Sequence, residues 1–257
     1  MQRMCHSSPR VYANQVALSL VALLSTGSSC SAAEVSALVR LTSNYEYRGY
    51  TLSDNHAAAQ ANVDVAWPTG YFFGSWISSA DFGDANLAVN PYVGKSFILS
   101  PDWQVVTSVS GHLFNDDISY YNASYGEGAL RLDYRDLGSL QFSYSPDYYN
   151  TGSSVRTWEA ELRYPLADTI EVSGGLGYQL SRNALNHDGL YSNVGIAWFI
   201  QPHLTLDLRY HDLHEMHERA YQRYDSYDPY NTDPGNRDPA PAYHLGTPVI
   251  FSVSIGL

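Results

Sequence analysis

Two groups of residues in this chain could do chemistry, one clustered and one dispersed. The cluster is HDLHEMHE (211–218), where His211, His214 and His217 stand beside Glu215 and Glu218. Spaced three apart on a helix, such imidazoles would share a face and offer zinc or copper the donors those ions take. The segment leaves an alternating, strand-like stretch and lacks the tighter spacing of a helical zinc motif, so solvated loop histidines are the expected reading. YDSYDPYNTDPGNRDP (224–239) is acidic enough to hold calcium weakly, but counted from Gly235 its oxygens miss the EF-hand positions. There is no Gly-x-Ser-x-Gly elbow. Ser119, His112, His187, His211 and Asp212 could in principle supply a hydrolytic group, yet no spacing singles out a set in contact. The expectation is a non-enzyme that needs no cofactor.

The dispersed group is Arg40, Asp64, Glu127, Arg131, Asp133, Glu159, Glu161, Arg163, Glu171, Asp207 and Arg209. Each sits opposite aliphatic neighbours in a two-residue alternation. In a strand that alternation puts the charges on one face and the aliphatic groups on the other. If the aliphatic face meets lipid, the charges line an interior, since a basic side chain facing lipid costs about 2–4 kcal/mol near the midplane. Two readings stand. Asp64, Glu159, Glu161, Glu171 and Asp207 form the acidic wall of a cation-preferring pore, with Arg131, Arg163 and Arg209 as counter-charges. Alternatively, the set is a lattice of ion pairs that fills the barrel. Pore-lining positions inferred from phase reverse wherever a bulge intervenes.

About a dozen segments carry this alternation. The clearest are 59–67, 103–111, 130–135, 139–144, 157–164, 169–178, 193–198, 204–210 and the tail VIFSVSIGL; 35–42, 71–79 and 86–94 are weaker. Short, turn-like links (67–70, 99–102, 135–138, 165–168, 200–203) take turns with longer polar ones (44–56, 80–85, 112–124, 145–154, 180–189, 211–246). Trp67, Trp103, Tyr134, Tyr164 and Trp198 sit beside the short links, and Tyr45, Tyr144, Tyr178 and Tyr210 beside the long ones. Two aromatic girdles around an aliphatic band mark strands that cross both lipid interfaces. The expected fold is all-β, an up-and-down antiparallel transmembrane β-barrel of about 12 strands, with both chain ends on the short-turn side. In the tail, Phe251, Val253, Ile255 and Leu257 face lipid, and Ser252, Ser254 and Gly256 face inward.

Residues 1–33 read as a secretory signal peptide, leaving 34–257 as the barrel. Arg3 and Arg10 precede the apolar run VALSLVALL, and Ser31-Ala32-Ala33 supplies small residues for cleavage. Both cysteines, Cys5 and Cys30, lie in that leader. The full chain has 14 basic and 26 acidic residues. Removal of two arginines with the leader leaves 12 against 26, a net charge of −14. Such a balance excludes nucleic acid as a partner, because phosphate binding needs basic patches.

SNYEYRGYTLSDNHAAAQANVDV (43–65), followed by GYFFGSWISSADFGD (70–84), resembles the TorF-type putative porins, proteobacterial outer-membrane proteins long labelled conserved hypothetical. The matching features are Ser43-Asn44-Tyr45, Arg48-Gly49, Ser53, Ala59-Gln60, Gly74-Ser75-Trp76 and Asp81-Phe82-Gly83; NPYVGKSF (90–97) and SYSPDYYN (143–150) look like further blocks. Ala61 departs from the family's usual Gly, as does the long Tyr/Asp-rich loop before the last strand. The resemblance implies a barrel and a pore in the outer membrane of a Gram-negative bacterium, without naming a solute. The expected function is passive diffusion of small cationic or neutral hydrophilic solutes. A closed barrel acting through its outer loops as an adhesin or surface-binding module is the alternative. Expected partners are outer-membrane lipid and lipopolysaccharide, barrel-assembly machinery reading the tail, and further copies of the chain in a homo-oligomer.

Overall fold

The computed structural model describes residues 33–116, 122–216 and 247–256. The strands are β1 (Glu34–Thr42), β2 (Glu46–Tyr47), β3 (Tyr50–Thr51), β4 (Ala58–Ala66), β5 (Tyr71–Phe82), β6 (Ala85–Ile98), β7 (Trp103–Phe114), β8 (Tyr125–Tyr134), β9 (Gly138–Ser145), β10 (Val155–Ala167), β11 (Ile170–Leu180), β12 (Asp188–Gln201), β13 (Leu204–Met216) and β14 (Val249–Gly256). All but β2 and β3 join one closed barrel in the order β1-β14-β13-β12-β11-β10-β9-β8-β7-β6-β5-β4. Each neighbouring pair is antiparallel, and the seam closes by pairing Leu38 with Gly256 through Thr42 with Ser252. This is the 12-strand barrel that the alternation predicts. The end of β14 lies beside the β12–β13 turn, where Gly256 N–H donates to the His203 carbonyl at 2.9 Å.

The two faces are sorted by phase. Outward-pointing Val35, Leu41, Val93, Val109, Leu140, Leu162 and Phe251 are exposed, Leu162 to 73%. In water so continuous an apolar belt would be an aggregation surface; in lipid it is the solvated face. Trp67, Trp103, Tyr134, Tyr164 and Trp198 rim the belt at the short turns, while Tyr144, Trp158 and Tyr210 rim it at the other end. Lys95, the only lysine in the chain, points outward near the short-turn rim, its ammonium 4.3 Å from the Tyr71 ring centre and 5.2 Å from that of Phe97. That placement lets the charge reach the interface.

Several expectations about the links are corrected. The 80–85 link is a tight turn, because β5 runs to Phe82, β6 restarts at Ala85, and Gly83 takes the positive φ (64°) such a turn needs. Pro165 to Ala167 belong to β10, where the register shifts against β11 between Pro165 and Ala167, so the turn comes two residues later than its sequence suggests. Pro91 sits inside β6, and the β6–β7 ladder lapses beside it, since proline has no N–H to give. Residues 211–216 continue β13 as strand, so His211 and His214 face opposite ways and cannot share a helical face. The leader through Ala32, Ser119, His217, Glu218, the 224–239 segment and Leu257 lie outside the described residues.

Residues 44–56, read as an outward polar link, instead fold into the barrel mouth, and Tyr45, assigned to the outer girdle, is only 3% exposed. Inside, small residues make room for large ones: the Phe72 ring lies over Gly94 and the Tyr191 ring over Gly177. A methyl group at position 94 would meet both that ring and the Thr107 backbone carbonyl. Gly94→Ala should therefore lower the stability of the refolded barrel by about 1–3 kcal/mol in urea unfolding followed by tryptophan fluorescence. Gly128→Ala, whose new methyl meets nothing nearer than 4.0 Å, should leave the midpoint unchanged.

Candidate functional site

The interior is organised by the inserted segment. EYRGYT (46–51) is a minimal hairpin in which β2 pairs with β3, Glu46 opposite Thr51 and Tyr47 opposite Tyr50. Its two-residue turn is Arg48 (φ 53°) and Gly49 (φ 89°), both in the left-handed region that such hairpin turns require. A side chain at Gly49 would meet Leu213 Cβ on β13 at 2.7 Å, so the hairpin tip packs against β13, two strands from β1 in the closed sheet. Polar side chains behind it replace the backbone pairing that a lone hairpin lacks. Asn44 Oδ1 accepts from Thr51 Oγ1 at 2.6 Å and from Ser53 Oγ at 2.9 Å. Tyr45 N–H donates to Ser53 Oγ at 2.8 Å, and Asp81 N–H on β5 to the Leu52 carbonyl at 2.9 Å.

The turn delivers Arg48 to the opposite wall. Its Nη1 donates to Glu127 Oε2 at 2.8 Å and its Nη2 to Glu127 Oε1 at 2.9 Å, a two-pronged pair on β8. Glu159 on β10 lies 3.4 Å from the same guanidinium and also accepts from Tyr191 Oη at 2.6 Å and Gln141 Nε2 at 3.1 Å. Burial opposes the charge on Arg48, but Glu127, Tyr47 and Glu159 hold its pKa above the ordinary guanidinium value. Burial raises the phenol pKa of Tyr47 and Tyr50, so both stay protonated at neutral pH. Around them Tyr45, Leu52, Phe82, Phe114, Tyr125, Tyr148, Tyr149 and Leu185 form a buried cluster at the long-loop end of the lumen.

Below this plug the inward positions carry the dispersed charges. Arg131 Nε meets Asp133 Oδ1 at 2.6 Å, and Glu161 lies 3.1 Å from Arg163 and 3.8 Å from Arg131. Arg209 lies across Gly195, donating to Asn193 Oδ1 at 2.6 Å, Ser173 Oγ at 2.8 Å and Asp207 Oδ2 at 3.3 Å. Asp64 is bonded by the Tyr92 hydroxyl, which accepts from Asn62 Nδ2 at 2.8 Å. Glu171 is half-buried, and its Oε1 has no hydrogen-bond partner among the described residues. Arg40 is 7% exposed and gives its Nε–H to Ser254 Oγ at 3.0 Å.

The histidines that could serve a hydrolytic group are taken up separately. His112 stacks on Tyr125 with ring centres 4.4 Å apart, His187 bonds the Tyr50 hydroxyl, and His211 Nδ1 pairs with Glu46 at 2.7 Å. Asp212 points outward. These candidates for a hydrolytic group therefore do not converge among the described residues. The strand alternation does not mark Arg48 as a site residue; its one local signal is Gly49, which suits the second position of a two-residue hairpin turn.

Residues 26–232 match a family described as "Bacterial protein of unknown function (Gcw_chp)". Among curated proteins no sequence match was found. The fold is similar to that of the KdgM porin, with a TM-score of 0.52 at 8% identity over 86% of this chain and 97% of that one. It is likewise similar to the NanC porin in its rhombohedral crystal form, with a TM-score of 0.50 at 13% identity over 86% and 97% of the two chains. At these identities the likeness is one of architecture.

Breaking the Arg48 pair should be felt throughout the barrel. Arg48→Met leaves Glu127 buried without its counter-charge and should cost about 3–5 kcal/mol in urea unfolding. Combining it with Glu127→Gln should recover a large part of that loss, as a double-mutant cycle would read.

Proposed function

We propose that this chain, which belongs to the bacterial Gcw_chp family of unknown function, is an outer-membrane channel for small hydrophilic solutes, gated by its own first loop. The observation that carries the reading is a closed barrel, apolar outside and charged inside, whose loop-side end is filled by an inserted hairpin packed against aromatic side chains of the wall. A barrel needing only to be stable would fill its lumen with well-packed apolar groups, since buried ion pairs seldom stabilise more than their hydrophobic replacements. The likeness of residues 43–84 to TorF-type porins points the same way, and the residues carrying it are largely those that build and seat the hairpin.

Passage is passive. Solutes enter a water-filled lumen from the short-turn side and cross when the hairpin withdraws from Glu127 and Glu159. Strands β8, β10 and β11 present Glu127, Asp133, Glu159, Glu161 and Glu171 against Arg131, Arg163 and the inserted Arg48. That wall is net acidic and raises the local concentration of cations over anions. Outer-membrane lipid and lipopolysaccharide surround the apolar belt.

The refolded protein in a planar bilayer tests this. Wild type should give rare, discrete steps with mild cation selectivity by reversal potential. Arg48→Met with Glu127→Gln should raise the open fraction several-fold, and Glu159→Gln with Glu161→Gln should move the reversal potential towards anions. A heat-modifiable, folded barrel silent in every form would overturn the channel and favour a closed barrel that works through its outer loops.

A further inference from the structure

Arg40 is the lumen arginine that, among the described residues, bonds no carboxylate directly, although Asp207 lies near enough to act on its charge. Arg131, Arg163 and Arg209 each lie within 3.3 Å of an acid, and Arg48 within 2.9 Å. Arg40, 7% exposed on β1, has one hydrogen bond among the described residues, from Nε to Ser254 Oγ. Both of its terminal nitrogens are left without an acceptor. Beside it is a cavity of about 40 Å³, lined by Arg40, Gln60, Trp76 and Arg209 among others. Trp76 is 5% exposed, its ring centre is 6.0 Å from the Arg40 guanidinium carbon, and its indole Nε1–H has no hydrogen-bond partner among the described residues. A buried N–H left unsatisfied costs free energy that a ligand acceptor would recover.

The cavity's own acids are already engaged. Asp207 bonds Arg209 at 3.3 Å, and Glu46 bonds His211 at 2.7 Å. What remains open is a set of donors: the Arg40 fork, the Trp76 indole and the Gln60 amide, whose Nε2 also reaches Ser78 Oγ at 3.2 Å. A planar guanidinium with both terminal nitrogens open matches the two oxygens of a carboxylate. In the barrel order β1 stands across from β8, β9 and β10, so these donors face the acidic wall.

We infer that Arg40, Trp76 and Gln60 form a subsite for the carboxylate of a small organic solute held beneath the hairpin. The inference rests on the channel reading for how the solute arrives, but not for whether it binds. The Arg40 fork donates to the two carboxylate oxygens, and the Trp76 indole N–H donates to one of them. A cavity of about 40 Å³ takes the carboxylate group itself, and the rest of the solute extends into the lumen. The acids across the lumen favour solutes of low net negative charge over polyanions.

Equilibrium dialysis of the refolded full chain in detergent, with labelled gluconate against labelled glucose, tests the site without requiring conduction. Saturable gluconate binding with none for glucose is expected. Arg40→Gln should weaken it about tenfold or more, Trp76→Phe by a few-fold, and Arg135→Gln, at an exposed short turn, not at all. Acetate should compete and equimolar sulfate should not. Absence of gluconate binding to a barrel shown folded by its heat-dependent gel shift would sink the subsite, as would binding indifferent to Arg40→Gln. Equal displacement by sulfate would reduce the site to a general anion site and overturn the carboxylate assignment. Binding by a barrel that never conducts would uphold the subsite while rejecting the channel, whereas conduction without binding would do the reverse.

Discussion

Lipid offers no hydrogen bonds, so each backbone N–H and C=O in the bilayer must find its partner within the sheet. Everything else follows from that demand. It forces β1 to meet β14, and closure removes the sheet edge that would otherwise stay unpaired. It also gives the barrel an inside, and the two-residue period then sends every second side chain there. Leu162 goes to lipid and Glu161 to the lumen for the same geometric reason. The interior charges are a consequence of the belt, and what the protein does with them is a separate matter.

That interior is filled unevenly. At the loop end the fill is a tyrosine-rich hairpin seated by one two-pronged ion pair; lower down it is paired charge and a cavity. Taking both Arg48 and Glu127 out of water is costly, and their attraction offsets the loss only because the geometry is tight and Glu159 adds a further charge. The hairpin contributes little backbone pairing of its own, just two residue pairs. Its hold depends on side chains of the wall, which is why a modest chemical change there could release it while the barrel stays closed.

The barrel was readable because its signal repeats. Twelve alternating segments, separated by links of alternating length, leave few other solutions, and the tail Phe251 to Gly256 has the phase the sequence implies. The hairpin was not readable from composition. SNYEYRGYTLSDN is as polar as any surface loop, and its burial works only because Asn44, Thr51 and Ser53 satisfy one another and Arg48 finds Glu127 nearly 80 positions away, at a separation of 79. Polar groups that cancel in pairs look solvated until the pairs are seen. Tyr45 misled for a related reason, since an aromatic at a strand end suits an interface or a plug equally. The histidine cluster misled through period: spacing that fits a helix means nothing in β13, where neighbours alternate.

The partners of Arg48 also carry information about time. The hairpin is made early in the chain, between β1 and β4, yet its guanidinium is received by β8 and β10 and its tip by β13. Those strands are not beside it until the sheet has curled nearly full circle. Whatever the order in which strands pair, the hairpin can be seated only once β8, β10 and β13 stand around the lumen. A barrel built in this way is capped from within by its first loop, and the cap is complete only when the ring is.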